Sequence, residues 1–408
     1  MSTAYKASQL RWDPFDPDFR ANPYPYLKTI REQDPVHRSM HGEWILTRYE
    51  DVFRAFADQN LGPLTRTDEF DVTYEYLKGK GKVMEGMKLA GKMFLPFIDK
   101  PRHPKLREWL HQAWNDRSVD ESVKKRIDHM MDQWDFDQVD LMTEFAGMLP
   151  ILTLLGVMGL PAEDWVQLKK ISFKLYPIIE YRRTMRSFEM LNEGMEEVVE
   201  YLLPWIEEKR KSPQPDLLSN LIKLNDQSEE KLTDQEIAGF CAFLFFAGQE
   251  TTVHLIGNSL QLMMTHPEQT EWLRNHRKAT ALAIEECLRY DSSVPLLGRI
   301  AKEDTEYGGK IIKKGHGIVL CVAAAHRDAN RYEHPDQLDF SRTSKGNLGF
   351  GRGERICSGA WLARKQAKWA ISKLMDRSQR FELTADPIRQ DTFNPRGYAH
   401  LPARIVPA

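Results

Sequence analysis

Between Thr233 and His266 the chain carries a helical segment that only a large interior could bury. Thr233-Asp234-Gln235-Glu236 is a capping-box pattern, in which the acid three residues in reaches back to the capping residue's N–H. No proline follows before Pro267, so at about 1.5 Å per residue the segment spans roughly 50 Å. Its middle, IAGFCAFLFFAGQETT, is apolar on every side, which predicts a helix surrounded by protein. Glu250 is costly there unless it is paired or neutral. Thr251 and Thr252 are poor helix formers whose hydroxyls compete for backbone carbonyls and distort the ladder. A satisfied core carboxylate at a helix bend would account for the same residues.

The rest of the chain supports a mainly α fold with small β-sheets. From 104 to 275 apolar residues recur at spacings of three and four, with breaks at Pro161, Pro177, Pro213 and Pro267. Trp44-Ile45-Leu46 is β-prone, Tyr307 to Ile312 predicts a hairpin, and Gly317 to Ala325 predicts a strand or short helix. Residues 61–100 mix Gly, Lys, Met and Phe without one period and read as a long connection, and 329–356 read as irregular. A helix follows near 360–375. With no Ser/Gly-rich linker, residues 1–408 are expected to form a single domain, β-rich at about 11–60 and helical beyond.

Charge excludes some partners. The 57 Lys and Arg against 59 Asp and Glu, a formal net charge of −2, give no global reason to bind nucleic acid. Cysteines 241, 287, 321 and 357 form no C-x-x-C pair, so neither a zinc ribbon nor a disulfide framework is expected. The N-terminal residues lack a basic stretch followed by an apolar one, and no run approaches the roughly 20 apolar residues of a membrane span. The expectation is a cytoplasmic protein.

The most informative stretch is Phe350-Gly351-Arg352-Gly353-Glu354-Arg355-Ile356-Cys357-Ser358-Gly359, just ahead of the predicted helix. A helix N-terminus favours an anion, and Gly351, Gly353 and Gly359 let backbone amides and a flat ligand approach the sulfur. A buried free cysteine beside a Gly-rich turn is the other reading of the bare loop.

F-G-x-G-x-R-x-C-x-G followed by Leu362-Ala363-Arg364 resembles the haem-binding signature of cytochromes P450. The resemblance implies that fold, with its long central helix over haem b (iron protoporphyrin IX). It makes Cys357 the axial metal ligand, a thiolate that pushes electron density toward the iron. Phe350, Gly351 and Gly359 would shape the loop, and Arg355 would meet a haem propionate. Ala247-Gly248-Gln249-Glu250-Thr251-Thr252 looks like the family's oxygen-binding helix. There Ala247 and Gly248 leave room for dioxygen while Glu250 and Thr251 relay protons. Glu286-Cys287-Leu288-Arg289 resembles the structural E-x-x-R pair, with Gln337 standing where the family's third core-locking cation is expected. His103, Arg107 and Arg299 match its other propionate-binding cations. W-x-x-T-R-Y at 44–49, AAAHRDANRY at 323–332 and DFSR at 339–342 extend the likeness over nearly the whole chain.

The family implies a monooxygenase that inserts one oxygen atom of O2 into an apolar small molecule, in secondary or catabolic metabolism. A peroxide-driven peroxygenase, or a haem carrier or sensor without turnover, are the alternatives. By analogy the pocket wall includes 61–98, 170–190, Phe243 to Ala247 with Leu244, Leu296 and Leu297, and Asn394 to His400, although apolar residues there are also plain core. Arg182, Arg183 and Arg186 would greet a carboxylate, or simply form a solvated helix face. Lys100, Arg102, Lys105, Arg352, Arg364, Lys365 and Lys368 would dock a ferredoxin or flavodoxin supplied by its reductase, or serve only as solubilising charge.

Overall fold

Runs as short as Trp44–Leu46 form no stable strand alone, so their partners must come from elsewhere in the chain. In the computed structural model, which describes residues 11–63, 67–114, 119–179, 184–343 and 345–408, they do. Five strands make one sheet in the order Val36–Arg38, Trp44–Leu46, Gly317–Cys321, Leu296–Ala301, Leu61–Pro63. Trp44–Leu46 runs parallel to Gly317–Cys321 with Trp44 opposite Ile318 and Leu46 opposite Leu320, and the other pairings are antiparallel. The segment expected to be β-rich, about 11–60, therefore supplies only part of a sheet, and it also holds the helices Pro17–Ala21, Tyr24–Gln33 and Tyr49–Ala55.

The chain divides into two compact units: up to Leu64 with Gly257–Cys357 and Ala385–Leu401, and Thr65–Ile256 with Ser358–Thr384 and Pro402–Ala408. The sheet belongs to the first. Beside it, Thr305–Tyr307 and Lys310–Ile312 form the expected hairpin across Gly308 and Gly309, both at positive φ. Gly317–Cys321 is a strand and Val322–Ala325 a short helix, so both readings of that stretch hold in turn.

Residues 322–356 contain little regular structure, and buried side chains hold them instead. Arg289 chelates Glu286 through Nε (2.7 Å) and Nη2 (2.8 Å). Its remaining N–H groups reach the carbonyls of His326 (2.9 Å), Pro335 (2.7 Å) and Gln337 (3.0 Å). The third core-locking side chain is Arg342, not Gln337: its Nε lies 3.2 Å from Glu286 Oε1, while Gln337 offers only its carbonyl to Arg289. The reason is charge, since a cation can neutralise the buried carboxylate and an amide cannot. Arg342 is the last residue of DFSR, so the signal was present in the sequence.

The second unit is helical. Residues 67–93, expected to be a connection, form the helices Thr67–Gly79 and Glu85–Met93. Gly86 and Gly91 are packing sites, not breakers: a Cβ on Gly91 would meet the Phe70 ring at 2.5 Å, and one on Gly86 the Asn192 carbonyl oxygen at 2.6 Å. Both helices pack tightly because those side chains are absent. Thr184, with Ser187, caps the long helix Met185–Lys211. The capping box at Thr233 and Glu236 forms as expected. The long helical segment, however, is two helices, Asp234–Gly248 and Glu250–Thr265, broken at Gln249.

Glu286→Ala would leave Arg289 buried without its carboxylate, so it should lower unfolding stability by about 3–5 kcal/mol. Arg342→Ala, at a more exposed position, should cost less. Urea unfolding of both variants checks the order.

Candidate functional site

The loop carrying Cys357 is built by its own backbone over an aromatic floor. Gly351 and Gly353 both have φ of +72°, a conformation costly for any residue with a Cβ. Gly351 donates to Leu348 (2.8 Å), Ile356 to Gly353 (3.1 Å) and Cys357 to Phe350 (2.8 Å), closing the turn on itself. Beneath it, a Cβ on Gly351 would lie 3.4 Å from the Phe56 ring, and the Arg352 guanidinium stacks 3.6 Å from the Phe53 ring centre. The helix Tyr49–Ala55 and the residue after it thus set the loop's height. Gly359 stands at the N-cap of the helix Ala360–Arg377, close to the expected start.

No disulfide joins the four cysteines, and of them only Cys357 is exposed. Burial pushes the thiols of Cys241, Cys287 and Cys321 up to about 12, where they neither ionise nor bind metal readily. Among the described residues no group of three or more His, Cys, Asp or Glu could hold a metal ion by itself. An accessible cysteine sulfur suits a metal whose other ligands come with a prosthetic group.

His326 anchors the loop's start. Its Nε2 accepts the Leu348 N–H at 2.8 Å, and its Nδ1 lies 3.1 Å from the Ser292 hydroxyl, which itself donates to Leu288. Accepting at Nε2 requires a neutral ring. Burial, then the charges of Arg289 and Arg327, push its pKa down to about 3.

Arg299, half-buried on its strand, lies near Arg355 of the cysteine loop. Burial first, and then the Arg355 charge, hold its guanidinium down at about 10. Two neighbouring cations at such a cost fit a group that brings carboxylates, as a haem does. Of the other expected cations, His103 is buried and Arg107 half-buried, both on the helix Arg102–Ala113 of the other unit.

In that unit the helix from Ile237 to Phe246 is fully buried, but Ala247, Gly248, Glu250 and Thr251 are partly open. Here the ladder is bridged by side chains. The Thr251 hydroxyl donates to the Ala247 carbonyl at 2.9 Å. The Tyr176 hydroxyl donates to Phe246 (3.2 Å) and accepts from the Glu250 N–H (3.1 Å). One turn on, His254, with no exposed surface, brings Nε2 to 3.3 Å from the Glu250 carboxylate. The arrangement joins a carboxylate, a hydroxyl and an imidazole at the open part of a buried helix. Tyr176 and His254 were not read from the sequence; a histidine four residues after the acid, in the apolar run VHLIG, was the available signal.

The expected pocket residues divide. Phe243 is buried among rings, 5.6 Å from Phe94, which also stacks on Phe246 at 5.4 Å. Leu244 is buried in the same helix and Leu296 begins its strand, while Leu297 packs against the sheet's core. Of the basic residues, Arg102 pairs with Glu236, Lys105 with Glu230 and Lys365 with Asp120, each at 2.8 Å, which reduces the charge they can offer a partner. Arg186 is exposed, and Arg182 and Arg183 lie outside the described residues. Among the described residues no helix is long and apolar enough to cross a membrane.

Residues 164–402 match the family model "Cytochrome P450". The chain is 30% identical to a "Biotin biosynthesis cytochrome P450" of Bacillus subtilis (strain 168), over 88% of this chain and 90% of that one. It is also 30% identical to a "Vitamin D(3) 25-hydroxylase" of Pseudonocardia autotrophica, over 97% and 96%. The crystal structure of P450BioI in complex with hexadec-9Z-enoic acid ligated acyl carrier protein superposes with a TM-score of 0.86 at 29% identity, covering 95% and 99% of the two chains.

The buried neutral His326 makes stability depend on pH. Its ordinary value is 6.5 and its folded value about 3, so below about pH 6.5 the unfolded chain binds a proton that the folded one refuses. This contribution is complete above that pH and falls as pH drops, by at most about 1.4 kcal/mol per unit. Urea unfolding at about pH 7.5 and pH 5 should show a smaller pH-dependent loss in His326→Gln than in the native sequence.

Proposed function

Because the chain belongs to the cytochrome P450 family of monooxygenases, we propose that it carries haem b on Cys357 and inserts one oxygen atom of O2 into an apolar small molecule. Two electrons would come from a separate ferredoxin- or flavodoxin-type carrier, in secondary or catabolic metabolism. Residues 1–408 are taken as a single domain of the family. The observation that carries the reading is the exposed Cys357 on a loop tied down at Leu348, Gly351, Ile356 and Cys357, while the other three cysteines are buried and inert.

When bound, the haem supplies dioxygen activation and oxygen transfer. This chain's residues do the rest. The Cys357 sulfur would hold the haem iron, with Gly351 and Gly359 keeping its surroundings free of bulk and the Phe350 carbonyl accepting the Cys357 N–H. Arg299, Arg355, His103 and Arg107 would hold the two propionates; the mutual repulsion of Arg299 and Arg355 supports an anion between them. Ala247 and Gly248 would leave room on the helix only beside Leu154, whose side chain a Cβ on Gly248 would meet at 3.2 Å. Glu250, backed by His254, would hold a proton, and Thr251 would orient it.

The ring cluster of Phe94, Phe243 and Phe246 supports an apolar substrate, with Leu244, Leu296 and Leu297 as further wall. The fatty acid held by the P450BioI complex points to the same class. A peroxide-driven peroxygenase needs no proton pair, so Glu250 and Thr251 at the open stretch favour the dioxygen reading. A carrier or sensor would bind haem and ligand without consuming reductant.

A reduced carbon-monoxide difference spectrum tests the reading. The thiolate-ligated band is expected in the native protein and absent in Cys357→Ala; an intact band in that variant rejects the assignment. Thr251→Ala should retain the band and, with a substrate found by spin-state screening, send reducing equivalents to hydrogen peroxide rather than product. Unchanged coupling would remove Thr251 from the proton route.

A further inference from the structure

We infer that Tyr176 is a positioning residue for Glu250 and Thr251, its hydroxyl standing inside the helix ladder and holding the break at Gln249 open. The inference rests on the proton role proposed for that pair. Phe246 and Glu250 are four residues apart, so in an unbroken helix the carbonyl of one would accept the N–H of the other directly. Instead the Tyr176 hydroxyl lies between them, 3.2 Å from the carbonyl and 3.1 Å from the N–H. A phenol has one proton to give and lone pairs to receive, so it satisfies both backbone groups at once. Burial, then the Glu250 charge, raise its pKa well above the ordinary value, which keeps that proton in place.

The ring is fixed as firmly as the hydroxyl. It packs 5.2 Å from Phe246 and 6.3 Å from Phe173. Tyr176 begins the short 3-10 turn Tyr176–Ile179, which follows the helix Trp165–Leu175. The anchor is therefore 74 residues from Glu250 in sequence, on a segment expected to form pocket wall. A molecule that moves this turn would move the hydroxyl and change how Glu250 and Thr251 are presented. Occupancy of the pocket and delivery of protons would share one hydrogen-bonded atom.

Tyr176→Phe tests this in the haem-loaded protein, because it removes one oxygen and leaves the ring. Haem content and the reduced carbon-monoxide band should match the native protein. Hydrogen exchange of a peptide covering residues 246–252 should change by about tenfold or more, since two backbone groups lose their shared partner. The solvent isotope effect on reductase-driven oxygen consumption, measured without added substrate, should change by about twofold or more. In that reaction two electrons from the donor and two protons from water convert O2 to hydrogen peroxide. Tyr201→Phe, which loses a hydroxyl bonded to Asp164 at 2.7 Å, should alter neither quantity. Native-like exchange, or altered exchange with a native isotope effect, overturns the inference. An altered isotope effect with native exchange also overturns it, because the hydroxyl would then act outside the ladder. Absence of the carbon-monoxide band from the native protein would instead reject the haem-thiolate reading, and the exchange comparison would still decide whether Tyr176 holds the break.

Discussion

One guanidinium organises the part of the chain that has least regular structure. Arg289 binds both oxygens of Glu286 and the carbonyls of His326, Pro335 and Gln337. Those carbonyls belong to a stretch with no helix or strand to satisfy them, and a buried unsatisfied carbonyl is expensive. Arg342 closes the charge balance on Glu286, and the Asp339 N–H adds a bond to the same carboxylate at 3.0 Å. The next ring of contacts starts from the same place. His326 gives its carbonyl to Arg289 and its Nε2 to Leu348, so the cysteine loop begins from a residue already fixed. The start of the Cys357 loop is thus held by an ion pair far earlier in the chain.

The helix with the acid obeys the opposite logic. Elsewhere in the fold, backbone groups are paired so that side chains can be positioned; here, side chains pair backbone groups so that the helix can bend. Tyr176 and the Thr251 hydroxyl occupy successive steps of the ladder, and the partly open residues are the ones beside them. An unbroken apolar helix would leave Glu250 with little reason to be tolerated. Beside the break the carboxylate holds a half-open position, and His254, one turn on in the same helix, is its neighbour at 3.3 Å, which lowers the cost of keeping an acid there.

The readable parts of the sequence were those whose chemistry is local. Thr233 and Glu236 cap their helix within four residues, Gly308 and Gly309 turn a hairpin, and the glycines around Cys357 mark a backbone that other residues avoid. Residues 67–93 failed for an instructive reason. Gly86 and Gly91 carry the composition of a loop, yet their function is contact with Asn192 and Phe70, which no window of sequence displays. Arg342 stands five residues beyond Gln337, the position where a third cation is expected, and its reach to Glu286 depends on how the intervening irregular chain folds. Tyr176 was beyond reach altogether: its partners are 70 and 74 residues away, and nothing in YPII marks a hydroxyl bound into another helix.

Four cysteines of identical intrinsic chemistry show how far environment outweighs identity. Cys241 lies in a helix buried on all sides, Cys287 in the helix of the Glu286–Arg289 pair, and Cys321 at the end of a central strand. For each, burial raises the thiol to about 12 and leaves a small apolar side chain. Cys357 escapes because its segment is neither helix nor strand. A backbone bent through two positive-φ glycines spends its N–H groups on its own carbonyls and turns the sulfur outward. An accessible thiol can ionise and bind, and a buried one cannot without paying for desolvation. The irregular loop is therefore what gives one cysteine in four a chemistry of its own, and buried Arg289, acting through His326, fixes where that loop begins.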